Sequence, residues 1–382
     1  MSNKILFTAS TYSHIHHFHR PYLKHFQEQG YEVHVACSGK PQDEPMEINK
    51  VITLPFEKSM WSLSNFEAAR LLRRRIQQEN YALIVTHTSL AAFFTRLAVL
   101  GLKNRPVLIN MVHGYLFDDD TPALKRRILL TAEQLTAPVT DLLLTMNKWD
   151  FDTALQYRLG KQIKRIPGVG VDFSRIKQYT PATRRKLREK MGIPDDSFIL
   201  LYAAEFSQRK SQEVLIRAMK KLPDNVLLIL AGNGAQLDEC RSLAEELGLS
   251  DRISFPGYLE NIGAWYPLAD AAVSASRSEG LPFNIMESMY AGLPVVASMA
   301  KGHTDLIADG ETGLLYPYGD SDACALQIMR LINSEDLGKR LSAQARDAVT
   351  QYDLEQVFPV VIDLYESALP QHSTREQEAE PV

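Results

Sequence analysis

The chain has 382 residues, 45% of them hydrophobic and 23% charged, with a formal net charge of −4. That length exceeds a single ordinary core and suits two domains of a globular protein. No run reaches the roughly 18 unbroken apolar residues of a membrane-spanning helix, and no nucleic-acid partner is expected.

The first residues, Lys4-Ile5-Leu6-Phe7-Thr8, read as part of a strand and lack the basic and small-residue flanks of a leader peptide. Strands are predicted over Ile5–Ala9, Glu32–Ala36, Val51–Leu54, Leu83–Thr86, Val107–Met111 and Leu142–Thr145. Helices are predicted over Arg20–Gln29, Leu63–Glu79, Ala91–Leu100 and Leu124–Leu135. After about residue 165 the alternation restarts, with strands at Ile199–Ala203, Val226–Ala231, Ile253–Pro256, Ala272–Ser274 and Val295–Ala297. Helices such as Glu213–Lys221 and Gln236–Leu247 lie between them. This rhythm predicts two Rossmann-like, doubly wound α/β domains facing across a cleft, over residues 1–170 and 171–353. Phe173–Pro194 is expected to join them. A last helix near Leu354–Ser367 is expected to return to the first domain, and Gln371–Val382 to be a disordered tail.

Residues 1–170 hold 21 Lys and Arg against 15 Asp and Glu, a balance of +6, and the remainder balances at −10. A basic first half suits an anionic partner such as a phospholipid surface. The basic, apolar runs Leu71–Ile76 and Lys125–Leu130 are candidates for that contact, against the alternative of solvated helix faces. Three widely spaced cysteines, Cys37, Cys240 and Cys324, fit neither a disulfide framework nor a metal cluster. They point to a reducing compartment, hence a protein expected in the cytoplasm, with the inner face of the plasma membrane as the expected place of any membrane contact.

The segment Ser278-Glu279-Gly280-Leu281-Pro282-Phe283-Asn284-Ile285-Met286-Glu287 carries most of the chemical information. Gly280 and Pro282 mark a turn, and Asn284–Tyr290 reads as a helix ended by Gly292 and Pro294. The amides that open a helix suit a diphosphate. Glu279 precedes that helix start and Glu287 lies about a turn inside it. Two glutamates eight apart are by themselves an ordinary surface pattern, but the surroundings are not. From Glu279 to Ala291-Gly292-Leu293-Pro294-Val295-Val296-Ala297-Ser298 the sequence resembles the signature of the retaining glycosyltransferase family 4, of GT-B fold. Ala231-Gly232-Asn233-Gly234, Phe255-Pro256-Gly257-Tyr258, Ile166–Asp172 and Gly310–Leu315 resemble further landmarks of that family in order and spacing.

The resemblance implies a hexosyltransferase that moves a hexosyl or N-acetylhexosaminyl unit from a UDP-sugar with retention. The acceptor would be a saccharide, carried on a polyprenyl diphosphate, in capsule, exopolysaccharide or O-antigen assembly. It implies no metal and no other cofactor. Lys210 and Arg209 would neutralise the donor diphosphate. Glu279 would hold the donor sugar and Glu287 the ribose. Gly232, Gly234, Tyr258, Gly280, Leu281, Pro282 and Phe283 would line the donor site. Glu205 stands where relatives carry an Arg, so Arg209 is assigned that charge from the neighbouring position. Val112-His113-Gly114 resembles the family's His-Gly, whose His reaches the reacting centre; His113 is therefore a third catalytic candidate beside Glu279 and Lys210.

The first loop departs from the Gly-rich turn of relatives and reads Tyr12-Ser13-His14-Ile15-His16-His17-Phe18-His19. Its histidines lack a nearby Cys or carboxylate, so Tyr12, His14 and His17, with His87, are expected to shape an acceptor pocket rather than hold a metal. Asp118-Asp119-Asp120 is read as an exposed loop, with Asp120 or Thr121 capping the next helix. A UDP-sugar 2-epimerase of the same architecture and a non-catalytic nucleotide-sugar binding protein remain as alternatives.

Overall fold

The computed structural model describes residues 3–39, 47–57, 59–176, 180–194 and 196–369; the predicted tail Gln371–Val382 lies outside them. The chain forms two compact units. The first takes the chain up to Thr145, Phe151–Ile166 and the chain from Phe358; the second takes Met146–Asp150 and Pro167–Val357.

The first unit opens with β1 (Lys4–Thr11), α1 (Tyr12–Phe18), α2 (Arg20–Glu28), β2 (Glu32–Ser38) and β3 (Lys50–Thr53). It continues through α3 (Leu63–Glu79), β4 (Leu83–Thr86), α4 (Ser89–Val99), β5 (Val107–Val112) and α5 (Ala123–Thr136), then β6 (Leu142–Thr145), α6 (Lys148–Tyr157) and β7 (Gln162–Arg165). The strands form one parallel sheet in the order β3-β2-β1-β4-β5-β6-β7. Helices cover its faces, so the inner strands are apolar on both sides: Ile5, Leu6 and Phe7 are fully buried, as are Leu83, Ile84 and Val85. Helix α3 starts where the Ser62 side chain accepts the Ser64 amide and stops at Asn80, whose φ of 50° lies in the left-handed region.

The second unit runs through α7 (Pro181–Lys190), β8 (Phe198–Ala203), α8 (Gln212–Met219), β9 (Val226–Ala231), α9 (Leu237–Glu246), β10 (Ile253–Gly257) and β11 (Ala271–Ser274). It goes on with α10 (Phe283–Tyr290), β12 (Val295–Ser298), α11 (His303–Leu306), β13 (Leu314–Tyr316), α12 (Ser321–Ile332) and α13 (Glu335–Val349). Its parallel sheet has the order β10-β9-β8-β11-β12-β13. Leu200, Tyr202, Leu228, Leu230 and Val273 form the core with α8 and α12 residues such as Leu215, Met219, Cys324 and Ile328. The last helix, α14 (Leu354–Ala368), begins in the second unit and ends in the first. Its Tyr365 packs on Phe7, Tyr22 and Phe26, with ring centroids 5.9–6.4 Å away.

Four expectations need correction. The histidine-rich stretch is not a loop: β1 extends to Thr11 and the chain turns directly into α1, capped by the Thr11 hydroxyl accepting from the His14 amide. Phe173–Pro194 is not a free connector, because Arg188 of α7 is buried and donates to Leu268 O, Ser197 O and Asp270 within the second unit. The first unit gives way at Thr145 and again at Ile166, not at residue 170. Neither Asp120 nor Thr121 caps α5: Pro122 holds that position, and the Thr121 hydroxyl bonds back to Asp118.

Candidate functional site

Each sheet reverses its strand order once, between β1 and β4 in the first unit and between β8 and β11 in the second. There the loops leaving neighbouring strands diverge and open a crevice beyond their carboxyl ends, which is where open α/β sheets bind ligands. Arg209, Lys210 and Glu279 meet at the second of these places and His14, His87 and His113 at the first, each group within its own unit.

In the second unit, the loop after β8 carries Arg209 and Lys210, and the loop after β11 carries Glu279. Lys210 Nζ lies 2.5 Å from Glu279 Oε1, and Arg209 Nη1 lies 2.7 Å from Oε2 and 2.9 Å from Ser278 O. Glu279 is almost wholly buried. Burial pushes its carboxyl up, but the charges of Lys210 and Arg209 outweigh that and hold it at about 2. Arg209 and Lys210 face the buried Glu279 carboxylate, and the Glu205 carboxylate also acts on both, while the Arg209 side chain is about half exposed, so its guanidinium can meet a ligand from solvent. Such a place favours an anion. Glu205 sits exposed on its rim.

The glycines after β9 explain themselves by contact. A Cβ on Gly232 would fall 2.0 Å from Ala204 O, and one on Gly234 would fall 2.2 Å from Phe206 O. Their backbones pack directly on the loop that leads to Lys210, held there by Phe206 N donating to Asn233 O at 2.9 Å. Tyr258 is exposed just beyond β10. Gly302 has φ +84°, and a Cβ there would sit 2.8 Å from both Glu279 Cβ and Gly280 O. Its bareness lets the Glu279 loop close down. Gly280 O also accepts from Asn147 Nδ2 at 3.2 Å, while Leu281 and Pro282 are buried and Phe283 half-buried.

Helix α10 starts at Phe283 with no side chain capping it, so its positive end can face a ligand rather than a protein carboxylate. One turn in, Glu287 accepts a 2.6 Å hydrogen bond from Tyr266. Burial raises its carboxyl, against the pull of that bond and of Arg175. Tyr266 was not found in the sequence, since a tyrosine 21 positions away carries no local signal. Nor was His303. Its buried ring bridges the strand ends, with Nε2 3.1 Å from Ser274 Oγ and Nδ1 2.9 Å from Ser298 O.

In the first unit the structure gathers His14, His19, His87 and His113. They come from α1, the α1–α2 junction and the ends of β4 and β5. His19 and His87 are fully buried, His14 and His113 partly exposed. Burial holds His14 near 4 and drives His19, His87 and His113 well below the ordinary range, each pushed further by its neighbours. Two expected acceptor contacts are therefore enclosed: His87 stacks 3.6 Å from His19, and Tyr12 is 4% exposed. Neither ring can touch an acceptor as placed. His17 is exposed, its Nδ1 2.7 Å from Ser13 O.

Comparison with known proteins places the chain among the glycosyltransferases. A model described as Glycosyltransferase Family 4 matches residues 22–175, and one described as Glycosyl transferases group 1 matches residues 183–348. EpsD of Bacillus subtilis (strain 168), provisionally assigned as a glycosyltransferase, is 33% identical over 99% of this chain and 100% of its own length. The lipopolysaccharide core biosynthesis glycosyltransferase LpsE of Rhizobium meliloti (strain 1021) is 31% identical over 47% of this chain and 53% of its own. Among solved structures, Anabaena HepE in complex with UDP and glucose superposes with a TM-score of 0.78. It shares 21% identity, covering 95% of this chain and 99% of its own. WaaG, a glycosyltransferase involved in lipopolysaccharide biosynthesis, superposes with a TM-score of 0.77 at 18% identity, over 94% and 99% of the two chains. Both sheets are thus those of the GT-B fold.

Proposed function

We infer the function from one premise: the chain belongs to the glycosyltransferases, in the group whose family models span its two halves. The reading is transfer of a hexosyl or N-acetylhexosaminyl unit from a UDP-sugar to a saccharide acceptor, with retained configuration, in the building of a cell-surface polysaccharide. The observation that carries it is the arrangement after β8 and β11: Lys210 and Arg209 converge on Glu279 beside the uncapped start of α10. The diphosphate would take its place against the α10 amides and the two cations. The cations then offset the charge that grows on the leaving nucleoside diphosphate, so the bond to the sugar breaks without a metal on the phosphates. Glu279, ionised at working pH, would accept from sugar hydroxyls and favour positive charge at the anomeric carbon. Glu287, already a hydrogen-bond acceptor, would hold the ribose hydroxyls, and His113 would act in turnover, as in the family. HepE crystals that hold UDP and glucose support the choice of nucleotide.

A lipid-linked acceptor is supported by the outer face of the first unit. Helix α5 buries only Glu133 and Thr136. It exposes Leu124, Ile128 and Leu135 beside Lys125 and Arg127, a composition suited to an anionic membrane surface. The run at Leu71–Ile76 is less suited: Leu72 and Ile76 are buried, and Arg73 donates to Ala98 O and Leu100 O. Among the described residues no helix is long and apolar enough to cross a membrane.

The test is incubation of the purified protein with a panel of UDP- and GDP-sugars, with and without a lipid-linked saccharide. Acceptor-dependent UDP release is the expected result. UDP release without acceptor, with the sugar epimerised, or no release from any donor, would overturn it.

A further inference from the structure

We propose that His14, His19, His87 and His113 form a binding site for one divalent transition-metal ion, zinc by preference, at the strand-order reversal of the first unit.

The site is built from four residues that are remote in sequence and close in space. One ring nitrogen from each can be chosen so that all four lie within 4.8 Å of one another. Two of the distances are telling. His14 Nε2 is 3.3 Å from His19 Nε2, and His87 Nδ1 is 3.3 Å from His113 Nε2. A tetrahedron of nitrogens bound to zinc at about 2.0–2.1 Å has edges of about 3.3–3.4 Å. Both pairs, now hydrogen-bond contacts between rings, already stand at that spacing, and binding one ion would turn the four rings toward a common centre.

The chemistry of the donors agrees. Imidazole suits zinc, copper and nickel, and must be neutral to bind. The backbone shows strain at the same place. Thr88, directly after His87, has φ 61° and ψ 129°, outside the regions open to a β-branched residue without cost, and is held there by Ser10. Partial exposure of His14 and His113 gives an ion a path in from one side.

A metal here would clamp the α1–α2 junction to the ends of β4 and β5. It would take no part in neutralising the diphosphate, and of the transfer reading it displaces only the part given to His113 in turnover. It does replace the expectation that the histidines only shape an acceptor pocket, and it gives His113 the work of a ligand.

The test uses the full chain without a histidine tag, stripped with chelator and titrated with cobalt(II), then zinc. The expected result is one cobalt per chain with the intense visible bands of a tetrahedral ion, displaced by zinc, and a higher melting temperature with zinc bound. The rim substitutions His14→Gln and His113→Gln should each weaken binding by more than about tenfold, while His17→Gln, outside the cluster, should not. Absence of stoichiometric cobalt, an octahedral spectrum, or affinity unchanged in both rim variants would overturn the site. If a rim variant fails to fold, the wild-type stoichiometry and spectrum decide alone.

Discussion

At the scale of single residues, Glu279 bears on stability and on the donor chemistry proposed for it. Its carboxyl is held at about 2 against an ordinary value of 4.5. A depressed carboxyl stabilises the fold fully above the unfolded value, and that contribution disappears as pH falls from about 4.5 to about 2. Acid unfolding followed by circular dichroism should therefore steepen in that window, and Glu279→Gln should flatten it. Lys210→Ala leaves the buried carboxylate with Arg209 alone. The loss should fall below the roughly 3–5 kcal/mol of a fully broken buried pair, and a melting curve measures it. The pairing of Lys210 with Glu279 was legible because each stands in a local motif. The Tyr266–Glu287 bond was not, since Tyr266 stands in no motif and meets Glu287 only through packing.

At the scale of elements, the site depends on how closely loops approach. The strands and most helices could be read from apolar runs and turn residues, because a parallel sheet covered on both faces writes its core as continuous hydrophobic segments. The stretch after β1 could not be. Its histidines have neither clear helical periodicity nor turn residues, and α1 is set instead by the Thr11 cap and by Ile15 packing inward. The histidine cluster was hidden for the same reason: a run of sequence displays His14 and His19 together but gives no sign that β4 and β5 bring His87 and His113 to them. Gly302 offers a direct test of close approach. Gly302→Ala places a methyl 2.8 Å from Glu279 Cβ in a left-handed backbone. It should destabilise the protein by about 1–3 kcal/mol and displace the Glu279 loop, read as a lower melting temperature together with weaker UDP binding.

At the scale of the whole molecule, charge is divided between the halves, +6 over residues 1–170 and −10 over the rest. The basic half should associate with anionic vesicles and ignore neutral phosphatidylcholine. Exchange of Lys125, Arg126 and Arg127 for glutamine should weaken that association on the order of a hundredfold, at about 1 kcal/mol per basic residue, as measured by co-sedimentation. The central claim concerns the other half: a nucleoside diphosphate rests at the start of α10, held by Lys210 and Glu287. Calorimetric titration of UDP into the wild type, Lys210→Ala and Glu287→Ala tests it most directly. Binding to the wild type that weakens at least about tenfold in each variant, or about 1.4 kcal/mol, is the predicted result; equal affinity in all three proteins would contradict it.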